Sequence, residues 1–228
     1  MERSLFQLHV ITDGLREADE LKGIVAKAVR GGADVIQLRY KSASALDVYN
    51  LARAIHPVIE DAGAALLIND RLDAAMALPA AGVHLAGKSL PLPVVSQILD
   101  GKHYLIGCSV HSVEEARQAE RDGACYITYG HIFATNSKPG IAPRGLDALR
   151  EVVEAVNIPV LAIGGINATN LDEVLATGIA GIAVIGAVMA DTDPEEAARQ
   201  LREKMDASSH QPRYALPRVK QEKGGVPR

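Results

Sequence analysis

The sequence of 228 residues predicts a (β/α)8 TIM barrel, an α/β fold with eight parallel strands. Short apolar runs alternate with segments of helical periodicity, as in a parallel sheet whose strands are joined by helices. This alternation occurs eight times along the chain. An open doubly wound sheet is the competing fold, but it usually carries a glycine-rich turn after its first strand. Thr12-Asp13-Gly14-Leu15 lacks that pattern, so the closed barrel is favoured.

The apolar runs and the helical patterns give the predicted elements in order. The strands are Leu5–Thr12, Val35–Arg39, Ala65–Asn69, Gly82–Leu85, Leu105–Val110, Tyr126–Tyr129, Pro159–Ile163 and Gly181–Ile185. The helical segments are Leu21–Arg30, Ala45–Ala62, Leu72–Met76, Pro91–Leu99, Ser112–Asp122, Leu146–Val156, Ala168–Ala176 and Pro194–Met205. Ser112 with Glu115 predicts a capping box, and Asp193-Pro194 places a proline in the first turn of the last helix.

Composition divides the chain into residues 1–206, a single barrel domain, and residues 207–228, a basic tail. The tail contains three prolines and five cationic residues against one glutamate, and it has no helical or strand period. Such a composition is typical of a flexible, solvated segment. Anion binding or docking of a partner is the weaker alternative.

Charge and cysteine content exclude several classes of function. The net charge is −4, so no global positive field attracts nucleic acid, and Trp is absent. No apolar run is long enough to cross a bilayer, and no signal core follows the start. Cys108 falls in a predicted apolar strand and Cys125 directly precedes one, which is typical of buried reduced thiols. We expect a cytoplasmic homo-oligomer with a small-molecule substrate and no nucleic-acid or membrane partner.

The functional residues of such barrels lie at the C-terminal ends of the strands and in the loops that follow. Gly164-Gly165 and Gly186-Ala187 come at the ends of the last two strands, each just before a helix. Glycines allow backbone amides to approach an anion closely, and the loops after strands seven and eight commonly bind phosphate. The alternative is that these glycines only make tight turns. Phosphate binding is favoured, so the substrate is predicted to be a phosphate ester.

Two further strand ends carry charged or titratable side chains. Gln37, Arg39 and Lys41 alternate along one strand and would face the same side, so the mouth of the barrel would hold two cations. An ion pair with a nearby aspartate is the alternative. His131 follows strand six, and its imidazole could give and take a proton near neutral pH. His111, which begins the loop after strand five, is the second candidate.

Six short motifs together resemble the thiamine phosphate synthase superfamily over nearly all of Leu5–Met205. They are Gln37-Leu38-Arg39 with Lys41, Leu67-Ile68-Asn69-Asp70-Arg71, Gly82-Val83-His84-Leu85, Gly107-Cys108-Ser109-Val110-His111-Ser112, Thr135-Asn136-Ser137-Lys138 and Ala162-Ile163-Gly164-Gly165-Ile166. In the synthases, two aspartates hold magnesium. Asp70 matches the first, whereas Ser89 stands at the second position, which weakens the metal site because magnesium prefers hard oxygen ligands such as carboxylates.

The Gly130-His131 pair resembles the thiazole tautomerases of the same superfamily, because the synthases have proline after this glycine. This resemblance implies an isomerase of thiamine biosynthesis that converts a dihydrothiazole carboxylate phosphate to the aromatic carboxythiazole phosphate, with no metal or cofactor. It makes His131 the catalytic residue. Arg39 or Ser109 would hold the substrate carboxylate. The substrate-binding residues are then expected to be Arg39, Asn69, Ser109, Thr135, Ser137, Lys138, Gly164, Gly165, Gly186 and Ala187.

Two alternatives remain open beside the tautomerase. The first is a thiamine phosphate synthase, which couples hydroxymethylpyrimidine pyrophosphate with thiazole phosphate in spite of its altered metal site. The second is a non-enzymatic regulator that binds thiazole phosphate and contacts a partner through residues 207–228.

Overall fold

The eight parallel strands close into a barrel in the computed structural model, which describes residues 3–217. The strands are β1 Gln7–Ile11, β2 Val35–Leu38, β3 Ala65–Asn69, β4 Gly82–Leu85, β5 Leu105–Val110, β6 Tyr126–Gly130, β7 Val160–Ile163 and β8 Gly181–Val184. Each strand pairs with the next along the chain, and β1 pairs with β8 in the register Gln7↔Gly181. The predicted barrel is therefore confirmed.

Helices surround the barrel and join its strands. Within residues 3–217 they are α1 Ala18–Arg30, α2 Ala45–Asp61, α3 Leu72–Met76, α4 Leu92–Ile98, α5 Val113–Arg121, α6 Gly145–Ala155, α7 Leu171–Leu175, α8 Gly186–Met189 and α9 Pro194–Ala207. The short helix α8 was not predicted, because four residues are too few to show a helical period. No helix of this part of the chain is both long and apolar enough to cross a membrane.

The predicted helix caps are partly confirmed. The Ser112 hydroxyl accepts the Glu115 backbone N–H, as expected of a cap, at 3.1 Å. The Glu115 carboxylate, however, accepts the backbone N–H of His111 rather than that of Ser112, so this end is not a complete capping box. The complete box is at Ser44 and Asp47, where each side chain accepts the backbone N–H of the other.

The strands separate an outer apolar layer, which packs against the helices, from a smaller apolar cluster inside the barrel. Successive side chains of a strand point to opposite faces, so Leu8 and Val10 pack outward while Gln7 and His9 point into the barrel. The inner cluster consists of Val35, Ala65, Leu67, Ala81, Tyr126, Leu161, Ala180 and Leu216. Nearer the C-terminal ends of the strands, the side chains that hydrogen-bond to one another are polar: Gln37, Asn69, His84, Ser109 and Thr128. The barrel thus has a largely apolar base, which also holds the hydrogen-bonded side chains of Gln7 and His9, and a polar mouth.

The beginning of the predicted flexible tail packs against the base of the barrel. Leu216 is only 3% exposed and joins the inner cluster. The buried Gln7 side chain donates to the carbonyls of Leu216 and Pro217 at 2.8 and 3.3 Å. The backbone N–H of Arg213 donates to the carbonyl of Gly178. Residues 208–217 of the predicted tail therefore include contacts with the barrel, whereas residues 218–228 lie outside the described residues. The flexibility of the tail stays a prediction.

We predict that Leu216→Ala lowers the free energy of unfolding by about 2 kcal/mol, because it removes a buried aliphatic side chain and leaves a cavity. Urea denaturation followed by circular dichroism measures the change. Leu46→Ala is the matched control, since Leu46 is 65% exposed and its truncation should change little. Equal unfolding midpoints for the two variants would show that residue 216 does not close the barrel in solution.

Candidate functional site

A chain of side-chain hydrogen bonds leads across the mouth from β2 to the loop after β4. The Gln37 amide donates to Asn69 Oδ1 at 2.7 Å, and the Asn69 amide donates to Asp70 Oδ2 at 2.6 Å. Asp70 Oδ1 accepts from the Ser89 hydroxyl and from the backbone N–H of Ala86 at 3.2 Å. Asp70 also has φ of 62°, a left-handed conformation that a non-glycine residue keeps only where its surroundings fix it.

The residues around Asp70 do not form the two-carboxylate magnesium site of the synthase resemblance. Ser89 hydrogen-bonds to the Asp70 carboxylate, so it uses one of the oxygens that a metal would need. Within residues 3–217 no group of three or more His, Cys, Asp or Glu side chains could hold a metal ion. This chain therefore offers one carboxylate, already accepting three protein donors, where two would be required.

A second hydrogen-bonded group lies inside β4, β5 and β6. His84 is 2% exposed, and its Nδ1 lies 3.0 Å from the Tyr126 hydroxyl. Its Nε2 lies 2.9 Å from Ser109 Oγ, which in turn lies 3.2 Å from Thr128 Oγ1. Burial lowers the pKa of His84 to about 4, so the ring is neutral at physiological pH. Ser109 thus reaches the mouth supported from below by buried polar groups.

Four cations surround this polar layer: Arg39, Lys41, Lys138 and Arg144. Burial lowers the pKa of Arg39, and the charge of Asp70 partly opposes that shift. Burial also lowers the pKa of Lys138, and the positive charges of Arg144 and Lys41 add to this effect. None of the four forms an ion pair with a carboxylate among residues 3–217. Such a cluster is complementary to a multiply charged anion.

Glycine-containing loops form a cleft of about 560 Å³ beside these cations. The predicted residues Thr135, Lys138, Gly165, Gly186 and Ala187 all line it. The backbone N–H groups of Gly165, Gly186 and Ala187 have no protein acceptor among the described residues; the last two lie in the first turn of α8, where N–H groups have no partner within the helix. Ser137 is exposed and does not line the cleft; its backbone N–H donates to Thr135 Oγ1 at 3.3 Å. The structure thus brings five of the ten predicted substrate-binding residues together in this cleft.

The side chain of His131 stabilises the loop after β6. The side chain is buried, and Nε2 donates to the backbone carbonyl of Ile141 at 3.0 Å. The carbonyl of His131 also accepts the backbone N–H of Arg144. The imidazole therefore holds the far end of the loop that carries Thr135 and Lys138, and one ring nitrogen is already committed to a protein partner.

Gly164 and Gly165 have a packing role that their sequence pattern did not separate from anion binding. Gly164 has φ of 98°, and a Cβ there would lie 2.7 Å from Cα of His131. Gly165 has φ of 69°, and a Cβ there would lie 2.7 Å from Cβ of Phe133. The glycines thus allow the loops after β6 and β7 to pack directly against each other, which positions the cleft.

Sequence reasoning missed several residues of this mouth. In the sequence analysis His84 belongs only to a predicted strand and a family motif, and Tyr126 and Thr128 belong only to a predicted strand. Period-two alternation with Ser109 on the neighbouring strand is the signal that could have found them. Arg144 follows the long loop after β6 and gave no local signal, since its proximity to Lys138 depends on how that loop folds back.

We predict that Gly164→Ala destabilises the protein by about 3 kcal/mol or more, because the new methyl group would overlap with His131 and the backbone would be strained. Thermal unfolding measures the effect. Gly87→Ala is the control, because a Cβ at Gly87 meets nothing within 4 Å and its φ is not positive. A variant at residue 164 as stable as the control would contradict this account of the paired loops.

Most of the chain is similar in sequence to the members of one protein family. Residues 8–188 match the family described as thiamine monophosphate synthase. A thiamine-phosphate synthase of Roseiflexus sp. is 46% identical over 197 residues, which cover 85% of this chain and 83% of that protein. The thiamine-phosphate synthase of Chloroflexus aurantiacus is 43% identical over 199 residues, covering 86% of this chain and 91% of that protein.

Solved structures agree with this result. Thiamine phosphate pyrophosphorylase from Pyrococcus furiosus superposes with a TM-score of 0.78 at 40% identity, covering 89% of this chain and 96% of that one. A 3-hexulose-6-phosphate synthase superposes with a TM-score of 0.67 at 20% identity, which indicates a shared fold alone.

These relatives correct the expected function. The prediction of a thiazole tautomerase, an isomerase acting through His131, is wrong, because relatives at 43–46% identity are named thiamine-phosphate synthase. The Gly130-His131 pair carried that prediction, and the structure shows why it misled. The imidazole of His131 is hydrogen-bonded to Ile141 and braces a loop, so a histidine at this position need not transfer a proton.

Proposed function

Because the chain belongs to the thiamine monophosphate synthase family and is an enzyme, we propose that it couples hydroxymethylpyrimidine pyrophosphate with thiazole phosphate. The products would be thiamine phosphate and pyrophosphate, which makes the enzyme a transferase. The observation that carries this proposal is the similarity to proteins named thiamine-phosphate synthase over most of the barrel. The cytoplasmic location and the homo-oligomeric state remain predictions.

The proposed reaction breaks one bond and forms one bond at a methylene carbon. The carbon attached to the pyrimidine ring loses its bond to a pyrophosphate oxygen, and the electron pair leaves with the pyrophosphate. The thiazole nitrogen then supplies the electron pair for the new carbon–nitrogen bond. Negative charge accumulates on the leaving group, so fixed cations near that oxygen would stabilise the transition state.

The cation cluster is the proposed pyrophosphate site. Arg39 presents a planar guanidinium suited to a two-pronged contact, and Lys138 acts as a point charge. Burial disfavours both charges, and neither has a carboxylate partner within ion-pair distance among residues 3–217. A bound pyrophosphate would supply the missing counter-charge. No step of this proposal depends on a metal, since the donor set around Asp70 does not fit a two-carboxylate site.

The cleft beside the glycine loops is the proposed site of the thiazole phosphate. Its backbone N–H groups at Gly165, Gly186 and Ala187 are available to a phosphate, and Thr135 adds a hydroxyl donor. Lys138 lines this cleft and also belongs to the cation cluster. This shared position would bring the two substrates together at a single lysine.

Gln37 supplies a buried acceptor for the pyrimidine. Its side chain is 2% exposed, its amide donates to Asn69, and its Oε1 has no hydrogen-bond partner among residues 3–217. A buried acceptor without a partner is costly, so a ligand N–H is the expected complement. The exocyclic amino group of the pyrimidine offers such a donor.

The direct test is to incubate the purified chain with both substrates and to quantify thiamine phosphate and pyrophosphate. We expect the two products to form in equal amounts at a rate proportional to enzyme. Omitting either substrate should abolish both products. No coupling under any tested buffer, or conversion of a dihydrothiazole phosphate in its place, would contradict the proposal.

We predict that Lys138→Ala lowers kcat/KM for the pyrimidine pyrophosphate about tenfold or more, because a hydrogen bond to a charged ligand oxygen is lost. Steady-state kinetics with saturating thiazole phosphate measure the change. Lys102→Ala is the control, since Lys102 is exposed and lies in the turn before β5, at the opposite end of the barrel. Equal losses for both variants would show that residue 138 has no special role.

The pH dependence of binding of the pyrimidine pyrophosphate should also reflect the charge of Lys138. Lys138 must be charged to bind the anion, and its pKa is lowered by burial and by neighbouring cations. Binding should therefore weaken as the pH rises through a value below that of an ordinary lysine. The KM for the pyrimidine pyrophosphate measured against pH should rise on this alkaline limb, and Lys138→Arg should move the limb upward. An unchanged limb in the arginine variant would assign it to another group.

A further inference from the structure

We propose that Tyr126 and His84 form a positioning relay that sets the direction of the hydrogen bonds beneath Ser109. In this relay every buried proton points toward the mouth, and the last one, the Ser109 hydroxyl proton, is presented to an oxygen of the pyrophosphate group. The identity of that ligand rests on the proposed function, whereas the direction of the hydrogen bonds does not.

The first step is the orientation of the Tyr126 hydroxyl. Tyr126 is fully buried, and the hydrogen-bond partner of its hydroxyl among residues 3–217 is Nδ1 of His84 at 3.0 Å. Burial raises the pKa of Tyr126, so the phenol keeps its proton. If His84 donated instead, the buried phenol proton would have no acceptor, which costs free energy. Tyr126 is therefore the donor and Nδ1 the acceptor.

The second step follows from the single proton of a neutral imidazole. His84 is buried and its pKa is lowered to about 4, so one ring nitrogen carries a proton and the other accepts. Because Nδ1 accepts from Tyr126, the proton lies on Nε2. This N–H donates to Ser109 Oγ at 2.9 Å, with a longer contact to Thr128 Oγ1 at 3.4 Å.

The third step is a count of the two remaining protons. Ser109 and Thr128 each carry one hydroxyl proton, and their oxygens lie 3.2 Å apart, so one hydroxyl can donate to the other. Thr128 is 3% exposed, whereas Ser109 is partly exposed at the mouth. If Thr128 donates to Ser109, every buried proton is satisfied. The Ser109 proton then has no acceptor among residues 3–217 and is free for a ligand.

The glycine at position 107 independently supports the hydrogen bond between Tyr126 and His84. It lies in the middle of β5, where a side chain would normally point into the barrel. A Cβ at this position would overlap with the ring of Tyr126 and lie 2.5 Å from Nδ1 of His84. The space that a side chain would fill is taken by the Tyr126–His84 hydrogen bond.

The test combines Tyr126→Phe with two readouts, one of which needs no turnover. Nitrogen-15 NMR of labelled histidine should show the Nε2-protonated tautomer of His84 in the wild type, and loss of that preference in the variant. The Kd for inorganic pyrophosphate, measured by calorimetry, should rise about tenfold, as expected when a donor to a charged oxygen is misdirected. Tyr104→Phe is the control, because its hydroxyl makes a 3.5 Å contact with the carbonyl of Ala75, away from this network.

A second variant distinguishes a change in hydrogen-bond direction from a defect in folding. His84→Gln provides an amide that has no tautomers, so adding Tyr126→Phe to it should weaken pyrophosphate binding less than Tyr126→Phe does alone. An Nδ1-protonated His84 in the wild type, or pyrophosphate binding unchanged by Tyr126→Phe, would overturn the relay. If the wild type makes no thiamine phosphate while the tautomer and the pyrophosphate Kd behave as described, the proposed function fails and the relay stands.

Discussion

Closure of the sheet by the pairing of β1 with β8 is the constraint on which the other features depend. A closed parallel barrel gives each strand one face toward the helices and one face toward a narrow interior. The interior must therefore be filled by side chains from all the strands, and it is long enough to hold two kinds of layer. Here the base is apolar and closed by Leu216, while the upper layer is polar and hydrogen-bonded. The cations and glycine loops lie above that polar layer, at the C-terminal ends of the strands.

Several groups of the upper layer have no protein partner among residues 3–217. Among residues 3–217, Gln37 Oε1 has no donor, and Arg39 and Lys138 form no ion pair with a carboxylate. In the proposed relay the Ser109 hydroxyl proton also has no acceptor, because Ser109 Oγ accepts from Thr128. Each of these groups is held in place by neighbours that are themselves satisfied, such as Asn69 and His84. A substrate that carries both an N–H donor and a pyrophosphate would satisfy all of them together. Preorganised groups of this kind need no rearrangement during the reaction, which is the usual source of electrostatic stabilisation.

Much of the fold could be predicted from the sequence, because apolar periodicity and helix ends are local signals. Strand β3 was predicted to its last residue, and the cleft brought Thr135, Lys138, Gly165, Gly186 and Ala187 together as the strand-end rule required. The roles of individual histidines could not be predicted in this way. His131 contacts Ile141 because a loop folds back by ten residues, and His84 meets Tyr126 across two strands. Leu216 was missed because the short apolar run Tyr214-Ala215-Leu216 lies among prolines and cations without a helical or strand period, and its partner Gln7 lies 209 residues away.

The most direct test of the account is a crystal structure of the enzyme with thiamine phosphate and pyrophosphate bound together. We expect pyrophosphate oxygens within hydrogen-bond distance of Lys138 and Ser109, the phosphate of thiamine phosphate against the amides of Gly165 and Gly186, and the pyrimidine amino group at Gln37. Binding of either ligand away from the mouth, or a pyrophosphate that leaves Ser109 and Lys138 without contact, would contradict it.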